Sequence, residues 1–139
     1  RGTEVLGDPA YREKLLPITG EIAENIYNKA YKNHSLMNEC ECGVDDTTRI
    51  WWVQAEAVVG FLNAWQKKPE ETKYLDAAKD IWGYIKEYVI DKREGSEWFW
   101  CVNADGSPIH KPIVEPWKCP YHNGRMCMEV MRRLGKDAE

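Results

Sequence analysis

Apolar residues recur at spacings of three and four through most of this chain. The rhythm breaks where glycine, proline or paired acids intervene. After Asp8-Pro9, which reads as a helix cap and first helical residue, Leu15, Ile18, Ile22 and Ile26 draw one stripe along "AYREKLLPITGEIAENIYNKAYKN". The stripe predicts an amphipathic helix running to about Tyr31, and Pro17 predicts a kink or break within it.

"LMNECECGVDDTTRI" changes character: short alternation, Gly43 and Asp45-Asp46 predict a small hairpin or structured loop. Asp46, Thr47 or Thr48 then stands where it can cap the next helix, "RIWWVQAEAVVGFLNAWQKK". That helix is apolar nearly all round, from Trp51, Trp52 and Val53 to Phe61 and Leu62, the pattern of a helix buried on most sides. Beyond Lys68-Pro69, "EETKYLDAAKDIWGYIKEYVID" sets Tyr74, Ala78, Ile81, Ile85 and Val89 on one face and Lys79, Asp80, Lys86 and Glu87 on the other. "EWFWCVNADGSPIHKPIVEPW" reads as a strand, an Asp105-Gly106 turn and an irregular return. A last helix starts near His122 or Asn123 and stops by Gly135. Surface and buried helices thus alternate with a hairpin before each buried one, as a barrel of paired inner and outer helices requires.

Composition narrows the function. The chain has 139 residues, 43% of them hydrophobic and 12% aromatic, which fits one folded domain. A formal charge of −4 offers no basic face for nucleic acid, and no stretch has the roughly 18 apolar residues of a membrane span. The five cysteines are odd in number, with Cys40 and Cys42 one residue apart, and read as free thiols in a reducing cytoplasm. Seven tryptophans are a heavy apolar load, and "RGTEVLGD" opens as if inside the end of an earlier helix. Both suggest a piece of a larger helical protein.

Three features carry candidate chemistry. Glu56 lies in "WWVQAEAVVGFL" with no lysine or arginine three or four residues away on its helix. It is either exposed on a narrow polar stripe or faces a pocket and meets a ligand or a distant base. Trp52 and Trp117 stand near the starts of the two buried helices, where flat aromatic faces beside polar groups suit sugar rings; for each alone, core packing is the plain alternative. His122, in "KCPYHNGR", places an imidazole at a helix start, where proton transfer near neutral pH and stabilisation of an anion are both available. A rival reading gathers Cys40, Cys42, Cys119 and His122 around zinc, although C-x-C spacing is tight for a structural site. His34 and His110 sit in polar loop sequence and read as solvated.

"RIWWVQAEAVVGFLNAW" and "WKCPYHNGRMCMEVMRRL" together closely resemble cellobiose 2-epimerases of the N-acylglucosamine 2-epimerase superfamily. "EVLGDP", "NECECGVDD" and "EWFWCVNADG" fall in the same order as in that family, so the resemblance covers essentially the whole chain. It implies an all-α fold in which residues 1–139 are the C-terminal third of a single (α/α)6-barrel epimerase domain, with short β-hairpin loops between inner and outer helices. It also implies reversible C2 epimerisation of the reducing-end glucose of a β-1,4-linked disaccharide (cellobiose, lactose or mannobiose-type sugars), through a cis-enediolate and with no metal or nicotinamide cofactor.

Carried over by position, His122 matches a catalytic histidine. Trp52 and Trp117 match tryptophans lining sugar subsites, and Glu56 an acid that hydrogen-bonds sugar hydroxyls. Arg125 reads as structural, holding the loop through a carboxylate. The family's second catalytic histidine belongs to a helix expected just before Arg1, so this chain alone is expected to be inactive and to expose the helix faces that meet the missing N-terminal part. The alternatives are an N-acylglucosamine 2-epimerase, a mannose isomerase, a non-catalytic carbohydrate-binding helical module and a zinc-stabilised interaction domain.

Overall fold

The computed structural model describes residues 2–135. Helices carry most of it: α1 (Gly2–Leu6), α2 (Pro9–Lys29), α3 (Trp51–Lys67), α4 (Lys73–Tyr84) and α5 (Tyr121–Leu134). Short antiparallel strands fill the connections. β1 (Tyr31–Lys32) pairs with β2 (Ser35–Leu36), and β3 (Glu39–Glu41) with β4 (Val44–Asp46). β6 (Cys101–Val102) lies between β5 (Arg49–Ile50) and β7 (Pro108–Ile109). The described residues are therefore helix-rich rather than all-α. The strands arise because the connections pair their own backbone groups instead of leaving them unsatisfied.

Asp8 and Pro9 begin α2 as expected, with the Asp8 carboxylate accepting from the Ala10 amide at 2.9 Å. The predicted break at Pro17 does not occur, for α2 runs through it. A proline deletes only one intrahelical bond, and the turns on either side keep theirs. The expected β3–β4 hairpin turns through Cys42 and Gly43, both at positive φ (50° and 80°), the backbone that a two-residue hairpin turn demands. β1–β2 turns the same way through Asn33 and His34 (φ 52° and 64°).

The start of α3 also departs from expectation. Asp46 does not cap it; its Oδ1 accepts from the Thr48 amide and hydroxyl at 2.9 and 2.8 Å, closing a turn into β5. The N-cap is Ile50, without a side-chain cap bond. The Trp51 amide donates instead to the Trp100 carbonyl at 3.2 Å, so pairing with the β6 strand region satisfies a group that a local cap would otherwise serve.

The core sits around α3, which packs against α4 and α5. Ala55, Ala57, Ala77 and Ala78 are buried in one hydrophobic cluster with Phe61, Leu62, Ile81, Ile85, Val89 and Met126. α4 continues into one π turn, Ile85–Val89, marked by the Ile90 amide bonding the Ile85 carbonyl at 3.0 Å. Gly106, at φ 86° in the β6–β7 turn, lies so close to the Tyr88 ring that a Cβ would meet it at 2.4 Å. Two buried polar residues tie β2 to the core. Gln54 accepts from the Leu36 amide at 2.9 Å and donates to the Leu36 carbonyl at 2.8 Å, and Arg49 donates to the Ser35 hydroxyl at 2.8 Å.

α2 contributes no buried residue. Leu15, Ile18, Ile22 and Ile26, the stripe that predicted it, are all exposed.

Candidate active site

Residues four apart on α3 and three apart on α5 share a face, and the structure turns two such pairs toward each other. From α3 come Trp52 and Glu56; from the first turns of α5 come His122 and Arg125. His122 Nδ1 lies 2.9 Å from Glu56 Oε1, and Arg125 Nη1 donates to Glu56 Oε1 and Oε2 at 2.8 and 2.6 Å. The Trp52 ring centre is 5.7 Å from the imidazole, tilted by 40°, while Trp51 and Tyr121 meet the imidazole edge-on at 6.4 and 5.0 Å.

This arrangement answers the isolation of Glu56 within its own helix, since its cationic partner comes from α5. A carboxylate accepts, so the histidine nitrogen beside it is the donor, and in the neutral imidazole Nε2 then carries the lone pair. The three side chains are each about one-third exposed, so they are ordered by their partners yet open to a ligand. Beside them, α2 and α3 bound a groove of about 420 Å³ lined by Ile22, Ile26, Asn38, Trp52, Glu56 and Gly60. Trp52 and Glu56 thus face both the groove and His122.

Trp117 stands apart from that cluster. It lies at the tip of a turn in which the Glu115 and Lys118 backbones bond each other both ways, at 2.9 and 3.1 Å, and its side chain is 85% exposed. Pro120 precedes α5 as its N-cap, and the Gly124 amide bonds the Pro120 carbonyl at 3.0 Å. These bonds begin the helix so that His122 sits in its first turn.

The zinc reading needs Cys40, Cys42, Cys119 and His122 to converge. Among the described residues no group of three or more histidine, cysteine or acidic side chains gathers as a metal site. Cys40 and Cys42 belong to the β3–β4 hairpin, and the Asp45 carboxylate beside the Cys40 thiol raises its pKa. His34 is not simply solvated, because its Nδ1 lies 2.8 Å from Asp80 Oδ2.

Sequence reasoning reached Arg125 as a loop-holding residue but did not pair it with Glu56. The available signal was H-x-x-R on one helix opposite W-x-x-x-E on another. It gave no site role to Glu97 or Asn123, for their contact joins irregular chain to a helix start and leaves no periodic trace.

Comparisons with known proteins show which family the chain resembles. Residues 6–124 match the family model described as N-acylglucosamine 2-epimerase (GlcNAc 2-epimerase). The chain is 49% identical over 128 residues to a cellobiose 2-epimerase of Eubacterium cellulosolvens, and 51% identical over 134 residues to one of Ruminococcus albus. These alignments take in 92% and 96% of this chain but 31% and 34% of the relatives. Among solved structures, a sugar epimerase from a ruminal bacterium superposes with a TM-score of 0.91 at 50% identity, over 94% of this chain and 34% of that one. The chain therefore spans about a third of the length of these relatives.

Proposed function

The chain belongs to the N-acylglucosamine 2-epimerase family, and on that footing we propose that it is the C-terminal part of a carbohydrate 2-epimerase acting on cellobiose and related β-1,4-linked disaccharides. The observation that carries the reading is the Arg125–Glu56–His122 cluster beside Trp52. The names of its relatives at about 50% identity support the choice of substrate. In the whole protein these helices form part of an (α/α)6 barrel, and the remaining part of the barrel covers the open face of α2.

In this mechanism the sugar ring opens to the aldehyde. A histidine takes the C2 proton, and the electrons of the C2–H bond form the C1–C2 double bond of a cis-enediolate, with negative charge on O1. Rotation about C2–C3 presents the other face, and a second histidine, outside this chain, returns a proton there. His122 is one of the two, with Nε2 as its working nitrogen because Nδ1 is committed to Glu56. The amide groups at the start of α5 favour the developing oxyanion. Trp52 and Trp117 offer ring faces to the sugars. Glu56 has about four lone-pair directions; Arg125 and His122 take three, and one is left for a sugar hydroxyl. No metal or nicotinamide takes part in this scheme. With only one of the two proton-transfer groups, the chain alone does not epimerise sugars. We also assign the protein to the reducing cytoplasm, on the free thiols of its five cysteines.

The test offers the full-length protein cellobiose, N-acetylglucosamine and mannose separately and follows products by NMR. Formation of a mannose reducing end from cellobiose is the expected result. Turnover of N-acetylglucosamine or mannose alone would move the protein to another branch of the family. Binding of cellobiose without turnover would leave a carbohydrate-binding module.

A further inference from the structure

Glu97 lies outside the helices, in the segment leading into β6, and each of its carboxylate oxygens engages the stretch that carries His122. Oε2 accepts from the Lys118 ammonium, and Oε1 from the Asn123 side-chain amide. One carboxylate thus holds the chain on both sides of His122. Lys118 is wholly buried; its Nζ also donates to the Ile113 carbonyl at 3.1 Å and lies 5.4 Å from the centre of the Trp51 ring. A buried ammonium is costly unless its charge is met, and Glu97 meets it.

Glu97 is itself fixed by its surroundings. The Asp91 amide donates to the Glu97 carbonyl at 3.1 Å, and the Asp91 carboxylate accepts from Arg93 Nε at 2.9 Å and the Ser96 hydroxyl at 2.7 Å. Those bonds, Arg93 foremost, hold the Asp91 carboxyl well below the usual carboxylate range. The turn bearing Trp117 joins the same frame, because Lys118 closes it and Glu115 Oε1 accepts from Trp100 Nε1 at 2.5 Å.

We propose that Glu97 is the positioning residue of the candidate site: by gripping Lys118 and Asn123 together, it fixes the entry to α5 and sets His122 relative to Trp117. The inference rests on the epimerase reading. Glu97 acts through the loop, and displacement of a proton-transfer group by about 1 Å can cost about 100-fold in rate.

The test uses the full-length protein with cellobiose. Glu97→Gln is expected to lower kcat by about 10- to 100-fold, with KM changed by less than about threefold because the sugar-facing groups remain. This variant strands the buried Lys118 charge, so Glu97→Gln/Lys118→Met accompanies it; there the glutamine can still accept from Asn123 and no cation is left unpaired. The double variant is expected to regain the parental thermal midpoint while keeping the loss in kcat. Parental kcat per folded molecule in either variant would overturn the positioning role. A raised KM with kcat unchanged would overturn it too, making Glu97 a sugar contact. If Glu97→Gln does not fold, the double variant decides by the same outcomes. A wild-type protein that leaves cellobiose unchanged would instead refute the epimerase reading before any variant is made, and this inference with it.

Discussion

Glu56 meets Arg125 and His122 at once, and its value lies in that double duty. Arg125 aims the carboxylate through two hydrogen bonds, and the carboxylate in turn accepts from Nδ1 of His122 and orients the ring. Replacement by glutamine preserves shape but puts an amide, which can donate as well as accept, where the acceptor-only carboxylate orients Nδ1. In the full-length protein, Glu56→Gln is expected to lower kcat by about 100-fold, the scale of general acid–base catalysis, and to change KM less. Steady-state kinetics on cellobiose measures this. A variant whose main effect is on KM would show that Glu56 serves chiefly as a sugar contact.

At the scale of elements, the attachment of α2 differs from what its sequence implies. The isoleucine stripe points to a hydrophobic seam, yet polar and aromatic groups do the joining. Glu24 Oε2 accepts from Lys73 Nζ and from the Tyr74 hydroxyl, both at 2.6 Å, while Tyr27 meets Tyr74 and Phe61 edge-on at 6.0 and 6.1 Å. The bonds from Lys73, Tyr74 and Asn28 hold the Glu24 carboxyl at about 2, below its usual 4.5. A carboxyl whose pKa falls on folding contributes stability that is present in full above its unfolded value, and that fades as pH drops through its folded one. α2 is therefore expected to loosen between about pH 4.5 and pH 2. Hydrogen exchange of α2 amides across that window measures it, and Glu24→Gln should flatten the dependence. A core truncation acts differently: Ile81→Ala, at a fully buried site between α3 and α4, should cost about 3 kcal/mol at any pH, read from denaturant unfolding.

The same elements show what a sequence makes legible. The helices were readable because periodicity and the Asp8-Pro9 start are local signals, and the β3–β4 hairpin because Gly43 marks its turn. β1–β2 was not, since Asn33 and His34 adopt positive φ without a glycine to announce it. The start of α3 was misread because its free amide is met by Trp100, 49 positions on in the chain. In the candidate site, His122, Glu56 and Trp52 could be singled out individually. Their convergence with Arg125 depends on how α5 crosses α3, which no single helix encodes.

Across the whole molecule, the apolar stripe of α2 and Met128, Met131 and Leu134 of α5 all lie exposed. Faces of this kind normally lie against a partner, and the chain spans about a third of the length of its relatives. In the proposed barrel, the remaining part of the protein covers these faces and brings the second histidine opposite His122. The central claim is that His122 exchanges the C2 proton of the sugar. It is tested most directly by incubating cellobiose with the full-length protein in deuterated water and following C2 by NMR. The account predicts that deuterium enters at C2 of the mannose-ended product, and that His122→Ala abolishes formation of that product while leaving the circular dichroism spectrum unchanged. Undiminished epimerisation in a folded His122→Ala variant, or epimerisation without deuterium at C2, would contradict it.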